Sequence, residues 1–122
     1  MKLRLELFVK NIEETVHFYQ RVLGFTAPSG INEKYTPITN GNVVIGLAKL
    51  EKLEQSHPLK TEGNQPNGKG VEIVLEVKDL EGTYERVLST DYKIETPLKE
   101  RPWGLSDFRL IDPDGYYIRV SS

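Results

Sequence analysis

The chain has no cysteine, only two histidines, one methionine and one tryptophan in 122 residues. The missing cysteines exclude disulfides, thiolate metal ligands and a cysteine nucleophile, and leave the redox compartment open. No apolar run approaches the length of a membrane span, and the start, Met1-Lys2-Leu3-Arg4, leads into an alternating pattern rather than an unbroken apolar segment. Charge of one sign is also missing: 16 Lys and Arg stand against 18 Asp and Glu, giving a net charge of -2 with no block of like charges. Neither a nucleic-acid footprint nor a basic membrane-binding face is present in such a balance, so nucleic acid and membrane are not expected partners. The expectation is a soluble, cytoplasmic protein whose partner is a small molecule.

What is present is a repeat. Tyr19-Gln20-Arg21-Val22-Leu23 returns as Tyr84-Glu85-Arg86-Val87-Leu88, and each copy follows an alternating apolar run, residues 3–9 and 71–77. Both runs end in Lys and an Asx residue, Lys10-Asn11 and Lys78-Asp79. Between run and motif the second copy is shorter by close to one helical turn, a deletion that roughly preserves a buried helix face. The length suits one domain, 1–122, made of two modules: about 1–50 and about 71–122, joined by a polar connection over about 51–70.

Period-2 alternation predicts a first strand over 3–9 with Leu3, Leu5, Leu7 and Val9 on one face and Arg4, Glu6 and Phe8 on the other. Asn11 is a good N-cap with Glu14 three residues on, Ile12, Val16, Tyr19 and Leu23 form an apolar stripe, and Gly24 suits a left-handed helix end. Strands follow over 34–39 and 43–48, joined at Asn40-Gly41, a strong hairpin signal. The connection is expected to begin with a turn of helix over 49–55. In the second module the pattern predicts a strand over 71–77, a helix from Asp79 to about 89, a short strand near 92–95, and strands over 106–111 and 116–120. Asp112-Pro113-Asp114-Gly115 reads as a tight turn between the last two. The fold class is α+β, with two tandem βαβββ modules.

A helix covers one face of a sheet, and the fully apolar face is the natural one. The opposite face then carries Arg4, Glu6, Phe8, Glu72, Val74, Glu76, Asp107, Arg109, Tyr117 and Arg119. Such a mixture is too charged for a core and too aromatic for a plain solvent face; it suits a polar cleft. Tyr116, by parity, faces the helix.

Two stretches carry a resemblance to a known family. They are 5–25, with Asn11-Ile12-Glu13-Glu14-Thr15-Val16-His17-Phe18-Tyr19 and Leu23-Gly24-Phe25, and Pro102-Trp103-Gly104 through Phe108 to Asp112-Pro113-Asp114-Gly115. With the duplication, they resemble the glyoxalase/bleomycin resistance/extradiol dioxygenase superfamily, the vicinal oxygen chelate proteins. The resemblance implies βαβββ modules with curled mixed sheets enclosing a cleft, and a homodimer. In the metal enzymes of that family, divalent-cation ligands stand on the first and last strands of each module. The matching positions here are Arg4 and Glu72 on the first strands and Gly46 and Arg119 on the last.

Only Glu72 among these four can ligate a cation, whereas Ni²⁺, Zn²⁺, Mn²⁺ or Fe²⁺ needs about three protein ligands. A dication beside two guanidiniums adds repulsion of order several kcal/mol in a partly desolvated cleft. His17, on a helix, and His57, beside Pro58, do not supply the missing ligands. No metal and no cofactor are therefore expected. Two readings of the arginines stay open. In one, internal ion pairs fill the vacated site: Arg4 with Glu72, and Arg119 with Glu6, Glu76 or Asp107. In the other, Arg4, Arg109 and Arg119 hold an anionic ligand. Trp103 is either a hydrophobic plug under a loop or a ligand platform.

The function read from these residues is a small-ligand-binding protein resembling the metal-free bleomycin-resistance branch. Its candidate ligand-binding residues are Arg4, Phe8, Glu72, Trp103, Arg109, Tyr117 and Arg119, and no residue is assigned a catalytic role. The alternatives are a metal-dependent lyase, transferase or dioxygenase with a carboxylate site around Glu72, Glu6, Glu76 or Asp107, and a metal-free enzyme with Glu72 as general base.

Overall fold

The computed structural model describes residues 1–63 and 65–122, and the backbone divides into two compact units, Met1–Gln65 and Pro66–Ser122. In the first unit, strand β1 (Leu5–Val9) leads into helix α1 (Ile12–Leu23), followed by β2 (Thr36–Asn40) and β3 (Val43–Lys49). The strands lie in the order β1-β3-β2, β1 parallel and β2 antiparallel to β3. Asn11 caps α1 as expected, its side chain accepting from the Glu14 N–H at 3.0 Å, and Gly24 closes the helix in the left-handed conformation at φ 72°. Tyr19, Val22 and Leu23 of the repeated motif are buried with Val9, Ile38, Ile45 and Leu47 of the sheet.

The second unit repeats the order with β4 (Glu72–Glu76), α2 (Leu80–Ser89), β5 (Thr96–Glu100), β6 (Ser106–Ile111) and β7 (Tyr117–Ser121). Its sheet runs β4-β7-β6-β5, again with a parallel pair, β4 and β7, at one end. Asp79 caps α2 through the Gly82 N–H at 2.9 Å. Val87, Phe108, Leu110, Ile118 and Val120 are fully buried, and the Tyr84 ring lies 5.0 Å from that of Phe108. The two topologies match once one difference is allowed for. Where the second unit has β5, the first has a single antiparallel bridge between Thr26 and Thr39. Pro28 and Gly30 stand two and four residues after Thr26, and neither residue type sustains a ladder there.

Several boundaries differ from the sequence reading. β1 begins at Leu5 and β4 at Glu72, so Leu3 and Val71, expected on the buried faces, lie outside the ladders and are exposed. The short strand expected near 92–95 forms later, as β5. Asp91 first takes a left-handed turn at φ 58°, and the Glu95 N–H donates to the Arg109 carbonyl at 2.9 Å just before the strand begins. The helical turn expected over 49–55 contracts to a 3-10 turn, Leu50–Lys52. Among the described residues no helix is long and apolar enough to cross a membrane.

The turn after β6 also builds the neighbouring wall. One carboxylate oxygen of Asp112 accepts from the N–H groups of Asp114 at 2.9 Å and Tyr116 at 3.0 Å, and the Asp114 carbonyl accepts from Asn67 N–H at 2.8 Å. Gly115, at φ 100°, is obligatory on two counts: the conformation disfavours a side chain, and a Cβ would run into Pro66.

Candidate functional site

Register places the charged residues of the second sheet in rows on the face opposite its buried core. Asp107 lies opposite Ser121, Arg109 opposite Arg119, and Ile111 opposite Tyr117. The outer strands extend each row: Glu76 pairs with Ser121, Val74 with Arg119 and Glu72 with Tyr117, while Lys99 pairs with Asp107 and Thr96 with Arg109. The middle row therefore has two arginines side by side, flanked by Val74 and Thr96. Like charges directly opposite each other destabilise a sheet unless each is compensated.

Compensation is present but incomplete. Asp107, fully buried, accepts from Arg101 Nε at 2.9 Å and Nη2 at 2.6 Å, and from Arg109 Nε at 3.4 Å, all on one oxygen, Oδ1. Burial alone would push the Asp107 carboxyl up; hydrogen bonds from Arg101 and Arg109, with their charges, overcome this and hold it below the usual carboxylate range. Arg109 is held further toward its charged form by the neighbouring Tyr117 side chain, and then by Asp107, against the effect of burial. Arg119 reaches Glu72 with Nε at 3.3 Å from Oε1. That approach is an ion pair without hydrogen-bond alignment, so the buried Nε–H of Arg119 has no acceptor among the described residues. Asp107 Oδ2 is likewise buried without a donor. Buried polar groups left this way are rare.

Beside the arginine row, Val71, Glu72, Ile111 and Tyr117 line a cleft of about 570 Å³, closed by Pro66, Lys69 and the glycines 68, 70 and 115. Gly68 is fixed at φ 75° against the Tyr116 ring, so the glycine wall is held in place by packing.

Of the sequence-predicted residues, Glu72, Arg109, Tyr117 and Arg119 thus come together on one face. Trp103 lies in the turn between β5 and β6, where the Gly104 N–H donates to the Arg101 carbonyl; it is 57% exposed, which excludes the plug under a loop. Arg4 precedes β1 and pairs at 3.6 Å with Glu6, both side chains largely exposed, and Phe8 is half-buried on β1. Arg119, expected to pair with Glu6, Glu76 or Asp107, takes Glu72 instead, because the two share a face of the parallel β4–β7 pair one row apart. Sequence reasoning missed Arg101, the main partner of Asp107, and Tyr35. The Tyr35 ring occupies the space a Cβ on Gly46 would need, beside Glu6. A glycine in mid-strand was the available signal for such a close approach.

The residues at the four positions that the resemblance assigns to metal ligands do not offer a divalent cation three donors. In the second unit Glu72 is engaged by the Arg119 guanidinium; in the first unit the positions hold an arginine and a glycine covered by Tyr35. Among the described residues no group of three or more His, Cys, Asp or Glu side chains is placed to hold a metal ion.

The sequence profile of the glyoxalase/bleomycin resistance protein/dioxygenase superfamily matches residues 3–120. Solved structures share the fold at low identity. TioX from Micromonospora sp. ML1 is 18% identical, with 98% of each chain covered and a TM-score of 0.75. A glyoxalase/bleomycin resistance protein/dioxygenase from Nocardioides is 18% identical over 99% of this chain and 83% of its own, with a TM-score of 0.77. An integron cassette protein from the mobile metagenome of V. cholerae is 23% identical over 99% of this chain and 96% of its own, with a TM-score of 0.71. No curated protein matches the sequence.

Proposed function

Since the chain belongs to the glyoxalase/bleomycin resistance protein/dioxygenase superfamily, we propose that it is a metal-free member that binds a small anionic ligand on the second sheet, through Arg109 and Arg119. The observation that carries this reading is the direct register pairing of those two arginines. Arg101 takes most of Asp107, Arg119 is imperfectly matched by Glu72, and Arg109 shares a carboxylate oxygen already bonded twice. An anion accepting from both guanidiniums relieves their repulsion. Tyr117 stands in the adjacent row and Glu72 pairs with Arg119; neither is given a chemical step. The homodimer implied by the family resemblance belongs to the same reading, and sedimentation velocity tests it.

A thermal-shift screen of carboxylates, phosphates and sulfonates tests the function. Stabilisation by anions in the wild type, lost in Arg109→Met and Arg119→Met, supports it; anion effects equal in all three proteins overturn it. Elemental analysis of protein purified without chelator tests the metal-dependent alternative, and stoichiometric metal contradicts the proposal.

A further inference from the structure

Resting on that reading of Arg109 and Arg119, the geometry points to the class of ligand: an amphipathic carboxylate whose apolar body occupies the cleft beside the arginine row. The row order carries the argument. Ile111 follows Arg109 by two residues on β6, Tyr117 precedes Arg119 by two on β7, and Ile111 and Tyr117 are register partners. The arginine row and the cleft row are therefore adjacent on one face, about 7 Å apart. A head group on the arginines thus places the rest of its molecule against Ile111 and Tyr117.

The cleft is shaped for an apolar body. Val71 and Ile111 are both exposed aliphatic side chains, at 52% and 37%, in a concave site rather than on a convex surface. Gly68, Gly70 and Gly115 also line the cleft, where no side chain of theirs takes up space. At about 570 Å³ the space exceeds what an inorganic anion fills and lies in the range of small-molecule sites.

Charge and donor geometry select the head group. Arg101, Arg109 and Arg119 face Asp107 and Glu72, the flanking Lys99 and Glu76 offset each other, and Lys69 adds a further cation at the cleft, so the surplus is positive. A carboxylate matches the forked guanidinium donors.

Titration calorimetry with acetate, hexanoate, 2-naphthoate, 2-naphthamide and inorganic phosphate tests this. We expect 2-naphthoate to bind at least about tenfold more tightly than acetate, with hexanoate between them, and 2-naphthamide to lose about tenfold or more against 2-naphthoate. Val71→Asp, at an exposed position, removes the gain of 2-naphthoate over acetate, and in the wild type the methyl resonances of Val71 and Ile111 shift with 2-naphthoate but not with acetate. If acetate, phosphate and 2-naphthoate bind alike and all are weakened by Arg109→Met, the anion site stands and the amphipathic ligand is refuted. If 2-naphthoate binding is indifferent to Arg109→Met and to loss of its charge, the anion site itself is refuted.

Discussion

Arg101 grips the fully buried Asp107 through two nitrogens on a single carboxylate oxygen, at 2.9 and 2.6 Å, across a span of six residues. The pair ties the turn carrying Trp103 to β6, because the Arg101 backbone also exchanges a hydrogen bond with Leu105 at 2.8 Å. Removing one partner of such a pair strands a buried charge. Arg101→Met is therefore expected to cost about 3 kcal/mol or more, read by urea denaturation. Asp107→Asn with Arg101→Met together should cost less than the sum of the single changes, since neither then leaves a buried carboxylate without its main partner.

The same pair sets an acid limit on stability. Because the folded state holds the Asp107 carboxyl below its ordinary value of 3.8, the stabilisation is fully present above that value. It is lost as pH falls through the lower, folded-state value, where the folded protein must also take up the proton. Stability measured from pH 6 down to pH 2 should fall more steeply in the wild type than in Asp107→Asn. Parallel curves would show that other carboxylates set the limit.

Tyr35 and Gly46 form a second coupled pair. A methyl group on Gly46 meets the Tyr35 ring and approaches the Glu6 side chain at 3.2 Å. Gly46→Ala is expected to destabilise by about 1 kcal/mol or more despite the better strand propensity of alanine. In a Tyr35→Ser background the same change should be neutral or stabilising, and equal effects in both backgrounds would contradict the contact.

Lys60 closes the 3-10 turn after β3, its ammonium donating to the carbonyls of Leu50, Glu51 and Leu53 at 3.3, 3.1 and 3.1 Å. Lys60→Met keeps the aliphatic stem and removes the donors. Amide exchange of the segment 50–60 should accelerate several-fold while the exchange of α1 stays unchanged, a local opening of the kind few buried contacts resist.

Much of the candidate site was legible because strand alternation is a strict period. Placing Arg109, Tyr117 and Arg119 on one face needed only the odd positions of two strands flanking Asp112-Pro113-Asp114-Gly115. The helix caps Asn11 and Asp79 were legible for a similar reason: a short side chain bonding its own backbone needs no distant partner. What escaped depends on chain segments far apart in sequence or outside regular periods. Arg101 reaches Asp107 from a turn, Tyr35 covers Gly46 from a neighbouring strand end, and the Glu72 partner of Arg119 depends on which residues the parallel β4–β7 register brings near. The cleft walls from Pro66 to Gly70 fall in a stretch without periodicity, where composition says loop and nothing says where the loop folds.

The central claim is that Arg109 and Arg119 receive the ligand, and the side-chain Nε–Hε resonances of the arginines test it most directly. On titration with 2-naphthoate at constant ionic strength, the Arg119 and Arg109 signals should shift saturably with one common affinity. Arg4 and Arg21 should not move. Arginine signals that all drift together, or an unmoved Arg119 alongside measurable binding, would contradict the account.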